Sequence, residues 1–176
     1  VSGTIRVNSV HRNETSPGES NRKEEPVAIL DGRDLSTCRR FAGYLADRSI
    51  CTSLVELDEA HRKLWIRLAS VSRFSVALDA SATDLLIETL DTGGACAVHC
   101  EHEHGPRLLG ANPNEDPSVI PHSERRLSAP PHGRPMRLYL HLGDKTDDQI
   151  AVTFTQPATQ ALLAHLRACR AAMAAT

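Results

Sequence analysis

The chain has 176 residues, 40% apolar and 24% charged, the balance of a globular protein long enough to bury a core without disulfide staples. A net charge of −2 and a pI near 6.5 exclude the strongly basic footprint of a protein that coats nucleic acid, and aromatics at 3% leave few rings for stacking. No apolar run reaches membrane-spanning length and the first residues lack a charged-then-apolar leader, so the expectation is a cytoplasmic protein with no membrane partner. The five cysteines, Cys38, Cys51, Cys96, Cys100 and Cys169, are an odd set with one close pair, which makes a poor disulfide framework and points to free, buried or metal-bound thiols. Richness in Ala and Arg over Lys, and a Val1 of the kind a GTG start codon gives, point to a high-GC bacterial source.

In chain order, residues 1–26 are expected to be a disordered tail, because Asn13 to Pro26 offers no apolar anchor. Val27 to Leu30 reads as a short strand before the Asp31-Gly32 turn. From Asp34 or Ser36 to about Arg48, Leu35, Cys38, Phe41, Ala42 and Leu45 recur at helical spacing and predict a first helix, with Cys38 on its buried stripe. A second helix is predicted over 53–73. Ser53 and Glu56 resemble a capping box, and Leu54, Leu57, His61, Leu64, Leu68 and Val71 repeat at 3-4-3-4-3 spacing as a packing seam that contains His61. Phe74 to Leu78 reads as a strand. Thr83 to Leu90 reads as a third helix, capped by Asp79, Ser81 or Thr83 and stopped by the glycines of Asp91-Thr-Gly-Gly94.

After Gly94 the pattern turns extended. Ala95 to His99 and Arg107 to Ala111 flank a His104-Gly105-Pro106 turn, and a proline-rich loop runs from Asn112 to Pro135, long enough to signal a function or an internal tie. Leu138, Leu140 and Leu142, then Ile150, Val152 and Phe154, alternate with polar residues and predict a β-hairpin. Pro157 opens a terminal helix whose apolar face is Leu162, Leu166, Cys169 and Met173. The expected fold class is α+β: N-terminal helices followed by a small antiparallel β-hairpin module with a C-terminal helix. The expected divisions are 1–26 tail, 27–93 mainly helical region and 94–176 metal-supported hairpin-and-helix module.

The distinctive chemistry lies at 96–104, Cys-Ala-Val-His-Cys-Glu-His-Glu-His. Thiolate and imidazole suit zinc, and four of them in a tetrahedron close a structural site. Cys96, Cys100 and His104 share one face of a helix and also one face of a strand. His102 joins them only in an extended chain, and His99 then points the other way. His122, in the proline-rich loop, is the expected fourth ligand, with His102 and His132 as competitors. Zinc bound there would staple the loop.

From Cys96 to the C-terminus the chain resembles a family of small uncharacterised actinobacterial proteins, a domain of unknown function. That family has a Cys-x3-Cys-x3-His start, a later His-Ser, a β-hairpin and a C-terminal helix rich in Ala and Leu. The matching pieces are Cys96, Cys100, His104, His122-Ser123, the strands near 136–142 and 150–155, and the helix after Pro157. Ala97 and His99 stand where the family has proline and tryptophan. The resemblance implies the ligand set Cys96, Cys100, His104 and His122, and no reaction.

Enzymatic readings are weaker. His99-Cys100-Glu101 lacks the downstream Pro-Cys-x-x-Cys of zinc deaminases. His102-Glu-His104 lacks the later Ser-x-x-Asp of a metal isopeptidase. No nucleophile elbow or phosphate-cradling glycine loop is present. The expected function is a non-catalytic zinc-stabilised binding or regulatory module. The alternatives are a nucleic-acid-binding transcriptional regulator and a metal- or thiol-dependent hydrolase. Arg125, Arg126, Arg134 and Arg137 are the expected contacts for a protein partner or nucleic acid. Arg62, Lys63, Arg67 and Arg73 are a second basic set on the predicted second helix.

Overall fold

The computed structural model describes residues 38–114, 117–125, 135–143 and 148–175. Among the described residues, eight antiparallel strands succeed one another around a closed barrel. They are β1 (Cys38–Tyr44), β2 (Ile50–Asp58), β3 (Lys63–Leu68), β4 (Val71–Leu78), β5 (Cys96–His102), β6 (Arg107–Pro113), β7 (Met136–His141) and β8 (Gln149–Phe154). Helix α1 (Ala80–Thr92) follows β4, the four-residue α2 (His122–Arg125) lies between β6 and β7, and α3 (Gln156–Ala175) follows β8. Among the described residues each strand is paired with a neighbour on both sides, so the barrel closes.

The expected N-terminal helices are strands. Residues 38–44 form β1, and the predicted 53–73 helix is the end of β2, all of β3 and the start of β4. The deciding period is two, not 3.6: Val55, Leu57, Leu64, Ile66 and Leu68 point inward, while Leu54, Trp65 and Arg67 point outward. His61 sits in no seam. It is exposed in the β2–β3 turn, where Asp58 accepts from its backbone N–H (3.2 Å) and pairs with its Nδ1 (2.9 Å). Arg62 completes that turn at a φ of 52°, a left-handed conformation that ends any helix. The third helix, the extended segments around the 104–106 turn, the hairpin and the terminal helix appear where expected. The 1–26 tail and the 27–30 strand lie outside the described residues.

The fold repeats itself, four strands and a helix twice over. The helix openings match residue for residue: Asp79 with Thr155, Ala82 with Ala158, Thr83 with Thr159, Leu86 with Leu162, Leu90 with Leu166. The Asp79 carboxylate accepts from the Ala82 N–H at 2.8 Å, and the Thr155 hydroxyl accepts from the Ala158 N–H at 3.4 Å. Thr83 and Thr159 each donate their hydroxyl back to the cap carbonyl, at 2.7 and 3.0 Å. Asp91 and Arg167 hold corresponding places in α1 and α3, and they pair with each other at 2.8 Å. Corresponding positions of the two repeats thus meet where α1 and α3 pack together.

The two seams between the halves are also alike. β4 meets β5 only through Val76–His102 and Ala77–Glu101, and β1 meets β8 only at Tyr44–Thr153. Beyond those short pairings α1 packs on β5 and α3 on β1. The buried faces of both helices and the inward side chains of all eight strands form one core, which crosses the expected 93/94 boundary without a break.

Two buried thiols in that core give a prediction about pH. Burial pushes both Cys100 and Cys169 up to about 11 from an ordinary value of 9.0. A group whose pKa is raised by folding contributes stability that is fully present below the unfolded value and is lost as pH rises through the folded one. The melting temperature is therefore expected to hold up to about pH 9 and to fall from there to about pH 11. A Cys100→Ala/Cys169→Ala variant should show a shallower fall in thermal scans across that range, and an unchanged slope would contradict this account.

Candidate functional site

Strand β5 sets the geometry of the Cys/His cluster. Cys96, Val98, Cys100 and His102 face inward and His99 faces out. Four residues of strand separate the Cys96 and Cys100 backbones by about 13 Å with parallel side chains. A zinc ion bonded to sulfur at about 2.3 Å spans no more than about 4.6 Å between two thiolates. The Cys100 thiol donates instead to the Arg107 carbonyl at 3.4 Å, and burial keeps it protonated.

His102 is committed as well. Its Nε2 faces the Arg73 carbonyl at 2.8 Å and so carries the proton. Its Nδ1 accepts the His104 backbone N–H at 3.2 Å, leaving no lone pair for a metal. The His104 ring is exposed in the β5–β6 turn beside Glu103. His122 is exposed at the start of α2, and the same short helix carries Glu124, which bonds the Tyr44 hydroxyl on β1, across the barrel from β5. Cys96, Cys100, His104 and His122 are thus not brought around one ion. Among the described residues, no group of three or more His, Cys, Asp or Glu side chains is placed to hold one. His132 lies outside the described residues. The corresponding prediction is that elemental analysis finds equal zinc in the wild type and in Cys100→Ala. One equivalent lost with the thiol would overturn this geometry.

The expected partner-binding arginines separate in the same way. Arg125 turns inward, its Nε donating to the Ile120 carbonyl at 2.8 Å and its Nη2 to Ser118 at 3.0 Å, so it holds its own loop together. Arg137 lies over the Tyr139 ring, 5.5 Å from its centre. Arg126 and Arg134 lie outside the described residues.

A different surface gathers recognition chemistry: the outer face of β1–β4. Strand register places Arg40 beside Leu54, Leu54 beside Arg67 and Arg67 beside Ser75, one row across four strands. The row borders a groove of about 600 Å³, further lined by Thr52, Ser72 and Glu103. That size suits a small organic ligand. Arg67 is held in place twice, by the Glu56 carboxylate at 2.9 Å and by the Trp65 ring, 4.7 Å below its guanidinium. A stacked guanidinium loses little freedom on binding and keeps its remaining N–H groups in a fixed fork. Arg40 stands two strands away, about 10 Å. Two cations, hydroxyls and an apolar floor can grip an anion and cover a flat group attached to it. Among the described residues, neither a cysteine nor a histidine lines the groove to act as nucleophile or base.

Sequence reading missed this row because it placed Leu54 and Arg67 on a helix, where they do not face one another. The strict alternation Lys63-Leu-Trp-Ile-Arg-Leu68 was the available signal. No family model, curated protein or solved structure matches the chain. Among the described residues, no helix is long and apolar enough to cross a membrane.

Proposed function

We propose that this protein is a non-catalytic binding module whose ligand is a phosphate-bearing molecule with a flat apolar part, the chemistry of a nucleotide. The observation that carries the reading is the Arg40–Leu54–Arg67–Ser75 row along the groove. Charge-assisted hydrogen bonds from the two guanidiniums seat the phosphate, and Leu54 with the Arg67–Trp65 stack supplies a flat surface for the rest. The acidic total charge limits non-specific attraction, so affinity rests on the built groove rather than on a broad positive field.

The test is calorimetric titration with the phosphodiester dinucleotide TpT. Arg40→Gln is expected to weaken binding about tenfold or more, the worth of a charge-assisted bond, with the melting temperature unchanged. Identical affinity in the variant would remove Arg40 from the site, and no heat in the wild type would refute the reading. Much tighter binding of a longer single-stranded oligonucleotide would make a polymer, rather than a mononucleotide-sized molecule, the natural ligand.

A further inference from the structure

The row across the first half does not stop at Ser75. β4 meets β5 through Val76–His102, so one step along both strands sets Glu103 beside Ser75, and Glu103 lines the same groove. The row then reads cation, leucine, cation, hydroxyl, carboxylate. Neighbouring strands lie about 4.8 Å apart, which puts the Arg67 and Glu103 backbones about 10 Å from one another. An anion gripped at Arg67 therefore leaves the rest of its molecule within reach of a carboxylate.

The turn that carries Glu103 is held on both sides. His102 bonds the Arg73 carbonyl through Nε2 at 2.8 Å and accepts the His104 N–H at Nδ1 at 3.2 Å. The Gly105 N–H donates to the His102 carbonyl at 3.0 Å, at a φ of 96° that favours glycine. The Glu103 carboxylate lies 3.2 Å from Nε2 of His104, and both side chains are more than half exposed, so a ligand can reach it. The duplication isolates the charges of this row. Ser75 and Ala151 each stand four residues before a helix cap, Asp79 and Thr155. Register from Ala151 leads to Tyr139, Gly110 and Ala97, a row with no charge. There the Tyr139 ring lies on Gly110, where an added Cβ would collide with it. The second half thus covers its own outer face with a ring, and the first leaves a groove bordered by both signs of charge.

We infer that Glu103 makes the groove selective for guanine among the nucleotide bases, an inference that rests on the nucleotide reading of the groove. A carboxylate presents two acceptor oxygens side by side. Only guanine offers two adjacent donors on its Watson–Crick edge, N1–H and the exocyclic N2–H. Adenine and cytosine set a ring-nitrogen acceptor beside their amino group. Thymine and uracil flank their one N–H with two carbonyls. Each of those edges puts a lone pair against the carboxylate, whereas guanine makes two charge-assisted hydrogen bonds to it. The same carboxylate repels phosphate, which orients the ligand with its phosphate at the arginines and its base toward β5. Attraction at one end and repulsion at the other together make the selectivity.

The test is calorimetric titration of the whole chain with GpT, TpT and the inosine analogue IpT, three phosphodiesters of equal charge. Inosine keeps the N1–H of guanine and lacks its N2 amino group. GpT is expected to bind about tenfold tighter than TpT, within the discrimination that a bidentate pair gives, and IpT to lose most of that gain. Glu103→Gln puts an N–H where one acceptor stood, so the advantage of GpT should vanish while TpT still binds. Equal affinity for GpT and TpT in the wild type would sink this inference and spare the proposed function, as would a GpT preference that survives Glu103→Gln. GpT binding that Glu103→Gln abolishes and Arg40→Gln leaves untouched would sink the proposed function and keep the carboxylate contact. No heat with any of the three would refute both.

Discussion

Replacing Leu162 by alanine is expected to destabilise the protein by about 2–5 kcal/mol, and Leu86→Ala by a similar amount. The two leucines occupy corresponding positions on α3 and α1, both essentially inaccessible, within the one core that the helices share with the barrel. Deleting either side chain removes its transfer energy and leaves a cavity bounded by strands that cannot collapse without breaking barrel closure. If the repeat is structural as well as sequential, the two variants should show matched losses in chemical denaturation. A large loss for one and none for the other would mean that one helix only rests on a barrel that stands without it.

The second large effect is at Gly43. A Cβ there would lie 2.5 Å from Cγ2 of Val152, 3.1 Å from the Thr153 carbonyl oxygen and 3.2 Å from the Phe154 ring. These contacts sit at the seam where β1 and β8 meet through the single pair Tyr44–Thr153. The carbonyl belongs to the backbone and cannot swing aside. Gly43→Val is therefore expected to cost about 3 kcal/mol, the upper part of the overpacking range, by prising the seam open. Hydrogen exchange should report where: faster exchange at β1 and β8 with the β4–β5 seam unchanged. Uniform loosening of the whole chain would argue against two independent seams.

The second half of the chain was legible in the sequence because its periods are clean. Leu138, Leu140 and Leu142 alternate over a full strand, and the α3 stripe from Leu162 to Met173 runs long enough to exclude any other reading. The first half misled because two short strands and a tight turn can imitate a helical seam. Leu54, Leu57, His61 and Leu64 fall at 3-4-3 spacing by the accident of a four-residue turn between β2 and β3, and His61 counted as a seam position although it lies in that turn. The β-branched and aromatic content around Val55, Trp65 and Ile66 favoured strands. The most informative signal went unread. Ala-Thr-x-x-Leu recurs at Ala82 and at Ala158 behind a capping Asp or Thr, and that repeat predicts a doubled architecture before any element is assigned.

The Cys/His cluster shows the limit of spacing arguments. Residues on one face of a strand share a direction but not a point, and only backbone pairing reveals that Cys100 and His102 are spent on carbonyls. The Arg40–Arg67 row is the converse case. Its members are far apart in sequence, and only register across three strands brings them to one groove.

Trp65, the chain's one tryptophan, stands under Arg67 beside that groove and reports on it. Its fluorescence, followed while TpT is added at neutral pH, is expected to change saturably in the wild type. In Arg67→Lys, which keeps the charge and loses the stacked planar fork, the change should be lost or shifted about tenfold in concentration. A flat emission curve in the wild type, or an Arg67→Lys curve that overlays it, would contradict the binding role assigned to this face.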